Sequence, residues 1–126
     1  MVAQLSRSRQ AVHVICKAAA SDLRSPLSIT QMEQLTGLTG RALRYAFYEE
    51  YNCSPLEWQR NLRLDRAREF LLSTAKLHSM KRIAFDFGFK STQSFTRYYE
   101  LRFGEHPSQT YGKPKALAGD LAALDL

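Results

Sequence analysis

The chain has 126 residues, 44% of them hydrophobic and 24% charged, with a net charge of +6 and a pI near 9.6. That length bounds it to one domain or two very small ones, and the apolar content supports a folded core rather than a disordered polymer. No apolar run approaches the roughly 20 residues a membrane-spanning helix needs, and the positive balance invites a polyanion as partner.

The opening MVAQLSRSRQ is polar and basic, with no apolar block behind it, so it does not read as a secretory leader. Cys16 and Cys53 form no CxxC pair. Together these predict a cytoplasmic protein with two thiols. Ser8 to Leu23 reads as a helix, with Ala11, Val12, Ile15, Cys16, Ala19 and Leu23 as its apolar stripe. Ser25-Pro26 breaks it. Ser28 or Thr30 opens the next helix, whose apolar residues are Ile29, Met32 and Leu35. Gly37-Leu38 is a turn, and Thr39 caps a helix with Leu43, Ala46, Phe47 and Tyr51 on its inner face. Asn52 falls where a left-handed terminating residue belongs.

Ser54-Pro55-Leu56-Glu57 is a strong start signal: serine caps, proline takes the first helical position and glutamate can close a capping box. The helix it opens is predicted to reach about Leu72, burying Trp58, Leu62, Ala67, Phe70 and Leu71. After a loop at Thr74–His78, the first device recurs. Ser79 caps; Met80, Ile83, Ala84 and Phe87 follow at i, i+3, i+4, i+7; Gly88 turns the chain and Phe89 plugs the turn. Ser91 caps a last long helix with Phe95, Tyr99 and Phe103 on one face and Thr92, Gln93, Thr96 and Arg97 on another. Gly104 ends that helix, Pro107–Tyr111 can form a short closing helix, and residues 112–126 are a tail, read as a frayed terminus or a partner-binding amphipathic helix.

No strand pattern stands out, so the expected fold is all-α: two helix-turn-helix units joined by a long linker helix. The boundaries are 1–27 for an N-terminal helix and lead-in, 28–53 for the first unit, 54–73 for the linker, 74–111 for the second unit and 112–126 for the tail. In a helix-turn-helix the second helix reads bases in the major groove; the plainer alternative is an αα-hairpin in an ordinary bundle.

The same residues resemble a known family, the DNA-binding domain of AraC/XylS-type bacterial transcription regulators. Ile83-Ala84, Gly88-Phe89, Phe95, Arg97, Phe103-Gly104, Pro107 and Tyr111 match its pattern in order and spacing. Ser54-Pro55, Trp58, Arg63-Leu64, Ala67 and Leu71 match in the linker, and Gly37-Leu38-Thr39, Leu43 and Phe47 in the first unit. The resemblance spans about Ser28 to Tyr111. It implies two recognition helices in successive major-groove segments of promoter or operator DNA, with bases read from the exposed N-terminal part of each. It also implies a sensor or dimerisation domain, usually on the N-terminal side, that this chain does not contain; the leader before Ser28 has room for only one helix. RNA polymerase is a candidate contact of an exposed face. Three positions depart from the pattern: Glu33 where a small residue is usual, Tyr45 where arginine is frequent, and Glu100 where lysine is frequent.

The candidate DNA-binding residues are Arg41, Arg44, Tyr45 and Tyr48 in the first unit and Ser91, Thr92, Gln93, Thr96 and Arg97 in the second. Arginine can grip guanine O6 and N7, and glutamine adenine N6 and N7; each of these side chains could equally be solvated or hold phosphate. The tyrosines could touch phosphates or thymine methyls, or pack on the linker helix. For Arg97 the competing reading is an ion pair with Asp86 or Glu100. Trp58 and Cys16 read as core. His13, His78 and His106 stand apart, so no metal site is expected, and neither a cofactor motif nor a nucleophile constellation is visible. A helical protein-interaction module without DNA binding is the alternative function; an enzyme carrying this domain as a fusion is the third, with no catalytic domain in this chain.

Overall fold

A computed structural model describes residues 2–73 and 78–111. Among these residues it has seven helices and no strand: α1 (Val2–Ser21), α2 (Ile29–Thr36), α3 (Gly40–Tyr51), α4 (Pro55–Ser73), α5 (Met80–Asp86), α6 (Thr92–Phe103) and α7 (Pro107–Tyr111). Contacts divide the chain between Leu62 and Arg63 into two compact units, and that boundary falls inside the unbroken α4. The tail at 112–126 and all of the expected loop but His78 lie outside the described residues.

In the first unit, α1 lays Ala11, Val12 and Ile15 against Met32 of α2 and Leu43, Ala46 and Phe47 of α3. The helix starts six residues before the expected Ser8, and it stops at Ser21 rather than Leu23. The stop has a local cause. The Ser21 hydroxyl donates to the Ala18 carbonyl, and Asp22 Oδ1 accepts the Arg24 amide, so short polar side chains compete with the helix for backbone groups. Ser28, not Thr30, opens α2: its hydroxyl accepts the Gln31 amide, and Gln31 Oε1 accepts the Ser28 amide in return. Gly37 turns the chain at φ 73°, Thr39 caps α3 through the Ala42 amide, and Asn52 ends α3 in the left-handed region.

Gln59 is the buried polar residue of this unit. Its Oε1 accepts the Leu27 amide at 2.8 Å and its Nε2 donates to the Leu27 carbonyl at 2.9 Å. Both backbone groups of Leu27, in the segment leading into α2, are thereby satisfied by a side chain of α4.

In the second unit the core is Leu64, Ala67 and Leu71 of α4, Ile83 and Ala84 of α5, Phe89, then Phe95 and Tyr99 of α6 and Tyr111 of α7. Ser79 and Ser91 cap α5 and α6 through the amides of Arg82 and Ser94. Gly88 takes φ 83°, and the Phe89 amide donates back to the Ala84 carbonyl at 2.9 Å. Phe87 stands past the end of α5 and packs half-buried against Phe70, rather than extending the helical stripe. Leu64 is buried where Leu62 was expected, and Trp58 is half-buried. One stripe does not run the length of α4: its first half buries Pro55 and Gln59, its second Leu64, Ala67 and Leu71.

Candidate nucleic-acid interface

Each unit presents a scaffold helix, a glycine turn and a longer second helix whose outer face carries the polar residues. In α3 the buried row Leu43, Ala46 and Phe47 fixes which face looks outward. Arg41, Arg44, Tyr45 and Tyr48 stand on that outer face at i, i+3, i+4, i+7, all exposed. Tyr45 is 65% exposed and Tyr48 49% exposed, so both rings are largely open to solvent. The aromatic contact to α4 is made instead by Phe47 and Tyr51, whose ring centroids lie 6.0 and 5.6 Å from Trp58. The Arg41 guanidinium sits 5.8 Å from the centroid of the Tyr45 ring, within cation–π range.

In α6 the buried pair Phe95 and Tyr99 does the same work. Gln93 and Arg97 are exposed, and Thr92 and Thr96 are half-buried beside them. Ser91 is exposed too, but its hydroxyl oxygen already accepts the Ser94 amide at 3.0 Å as the helix cap. Arg97 lies 5.8 Å over the Tyr98 ring, while Asp86 pairs with Arg82 at 3.0 Å.

Residues behind these faces hold the second turn and helix in place; the sequence pattern picked out Arg63 and Tyr99 but not the contacts that they and the others make. The Arg63 guanidinium lies 4.7 Å from the Phe89 ring and donates to the Gly88 carbonyl at 3.4 Å, bracing the turn from α4. Asp65 accepts two hydrogen bonds from Arg102, at 2.8 and 3.0 Å, which pins the end of α6 to the same helix. The Tyr99 hydroxyl donates to Thr110 Oγ1 at 2.7 Å, and Thr110 in turn donates to the Glu105 carboxylate. Burial pushes the Tyr99 phenol above its ordinary pKa. In the first unit burial likewise raises the Cys16 thiol, whose Sγ lies 3.9 Å from the Tyr51 hydroxyl. These partners lie up to 37 residues apart, and no local pattern announces them.

Among the described residues no cluster of three His, Cys, Asp or Glu side chains could hold a metal, and no helix is long and apolar enough to cross a membrane.

The family model described as "Helix-turn-helix domain" matches residues 32–112. The chain is similar to the crystal structure of a probable AraC family transcriptional regulator from Rhodopseudomonas palustris, at 28% identity and a TM-score of 0.73, covering 82% of this chain and 95% of that one. The chain belongs to the AraC/XylS family. A second similar structure is a regulator with an AraC-type DNA-binding domain from Chromobacterium violaceum, at 25% identity and TM-score 0.75, covering 83% of this chain and 92% of that one. Among characterised proteins, the XylDLEGF operon transcriptional activator 2 of Pseudomonas putida is 29% identical over 90 residues, 71% of this chain. The AraC/XylS chain spans 57% of that activator's length.

Proposed function

We propose that this AraC/XylS chain binds promoter DNA sequence-specifically through α3 and α6, each entering a major-groove segment by its N-terminal half. The observation that supports this best is the duplicated surface: two capped second helices, each turned outward by a buried apolar row and each carrying an exposed arginine beside polar or aromatic side chains. Arg44 and Gln93 are the side chains assigned to bases, and Arg41 and Arg97 to phosphate or guanine. Tyr45 and Tyr48 supply contacts to the backbone or to thymine methyls, and Thr92 and Thr96 flank the reading edge of α6. Ser91 contributes chiefly by fixing the helix start.

Occupancy of a promoter, with an exposed face left to contact RNA polymerase, is the mode of regulation that fits such a module, and a cytoplasmic location follows from it. The chain needs no catalytic role for this function.

The test is a selection of binding sites from random duplexes, followed by affinities of variants for the selected site and for a scrambled duplex at matched salt. Arg44→Ala and Gln93→Ala are each expected to weaken the selected site by about tenfold, one good base contact, and the scrambled duplex far less. Equal loss on both duplexes would remove these two residues from base reading. Failure to enrich any duplex would overturn the proposal as a whole.

A further inference from the structure

The two turns of this chain are built differently at one point. Four residues before its turn glycine, the second unit has Ala84, buried and small. At the same offset from Gly37, the first unit has Glu33, half-buried. The Glu33 side chain crosses the turn, and its Oε2 accepts the Gly40 amide at 2.7 Å. Gly40 is the first residue of α3. A Cβ there would press on Ile29 Cγ2 at 3.2 Å and meet Glu33 Oε2 at an ordinary contact distance of 3.5 Å, so α2 and the start of α3 lie close together at this glycine.

The start of a recognition helix is the part of a helix-turn-helix that comes nearest the duplex. Its unpaired amides and its positive dipole end are the groups with which such helices hold phosphate. Glu33 has taken one of those amides and set a full negative charge beside the rest. Ala84 has no group that could do this for α6.

We propose that Glu33 limits the grip of the first unit on the DNA backbone, by withholding the Gly40 amide from phosphate and repelling phosphate at the start of α3, so that this unit's binding depends more on base contacts. The inference rests on the DNA-binding reading above and deepens it. Glu33 contributes the specificity ratio, not the base contacts themselves.

The experiment compares the wild-type chain with Glu33→Gln, which keeps an acceptor for the Gly40 amide without the charge, and with Glu33→Ala, which reproduces the residue that the second unit uses. Affinities are measured for a selected duplex and for a scrambled duplex of equal length. At low salt both variants are expected to hold the scrambled duplex about threefold more tightly, lowering the selected-to-scrambled ratio. In about 0.5 M salt, where the Debye length is roughly 4 Å, the gain should vanish. A merely structural role would show no such salt dependence. Unchanged or weaker binding of the scrambled duplex by a variant that unfolds cooperatively like the wild type would overturn the inference. Loss of the cooperative transition in both variants would do so too, because the carboxylate would then be a folding requirement. A wild-type chain that binds neither duplex would overturn the DNA-binding reading itself, which is a different outcome from a wild type that binds and does not respond to Glu33.

Discussion

At the scale of single residues, the side chains facing inward decide stability and those facing outward decide partners, and Gln59 shows the first case clearly. It is only 3% exposed, and its amide meets both backbone groups of Leu27. Gln59→Leu keeps the volume but leaves the half-buried N–H and carbonyl of Leu27 without their partner. We expect it to lower the unfolding free energy by about 2 kcal/mol, read from urea denaturation. A change within error would mean that water reaches Leu27. Tyr99 yields a prediction about pH. Its folded pKa is raised chiefly by burial, with the Glu105 charge also raising it and Thr110 and Arg68 opposing. The folded state therefore keeps the phenolic proton where the unfolded chain has begun to release it. The associated stability is complete below about pH 10 and is lost as pH rises through the folded value. Denaturation midpoints should fall as pH rises above about 10, and Tyr99→Phe should flatten that fall. The same variant also loses the bond to Thr110, which should cost about 1 kcal/mol at neutral pH.

At the scale of elements, each reading helix is set by a cap in front, a left-handed residue behind and a buried row along one side. The caps Thr39 and Ser91 are side-chain oxygens accepting the Ala42 and Ser94 amides. Ser91→Ala should cost about 1 kcal/mol of stability and speed hydrogen exchange at the start of α6. If that variant weakens DNA binding in proportion to the fraying of α6 and no further, Ser91 acts as a cap; a loss larger than the fraying explains would make it a direct contact. These caps, the glycine turns at Gly37 and Gly88 and the inner faces of α3 and α6 were legible in the sequence, because each depends on residues within one or two turns of each other. The contacts of Gln59 and Arg63, the Asp65–Arg102 pair and the Glu33 bridge were not. Gln59 bonds Leu27 from 32 positions away and Arg63 reaches Gly88 from 25. Helical periodicity cannot say which arginine of a charged helix will meet a carbonyl across a unit. In α4 the search for one stripe favoured Leu62 over Leu64, since the two halves of that helix bury different rows. The outer faces were readable only as exposed; what they touch depends on a partner the chain does not encode.

At the scale of the whole molecule, the relevant quantity is a net charge of +6 on a chain whose helices also carry Glu49, Glu50 and Glu100. Such a surface should bind duplex DNA with a steep but bounded salt dependence. Each neutralised phosphate adds about −0.9 to the slope of log K against log salt, so a handful of contacts predicts a slope of roughly −4 to −6. Arg97→Ala should reduce that slope by about 1 if the residue holds phosphate, and should leave the slope alone while relaxing one base position if it reads a base. Two reading helices also make a prediction about the DNA. A site selected from random duplexes should contain two conserved blocks about one helical turn apart, 10–10.5 base pairs centre to centre, as paired recognition helices on one side of a duplex require. Inserting about five base pairs between the blocks turns the second to the opposite side of the duplex. Binding should then fall to the level of a single block, unless the DNA bends at a cost of a few kcal/mol to rejoin them. The comparison that decides the matter is between the intact site, the spaced site and each block alone. Equal affinity for the intact site and the block read by α6 would leave the first unit idle, and Glu33, with its charge at the start of α3, would be the first residue to replace.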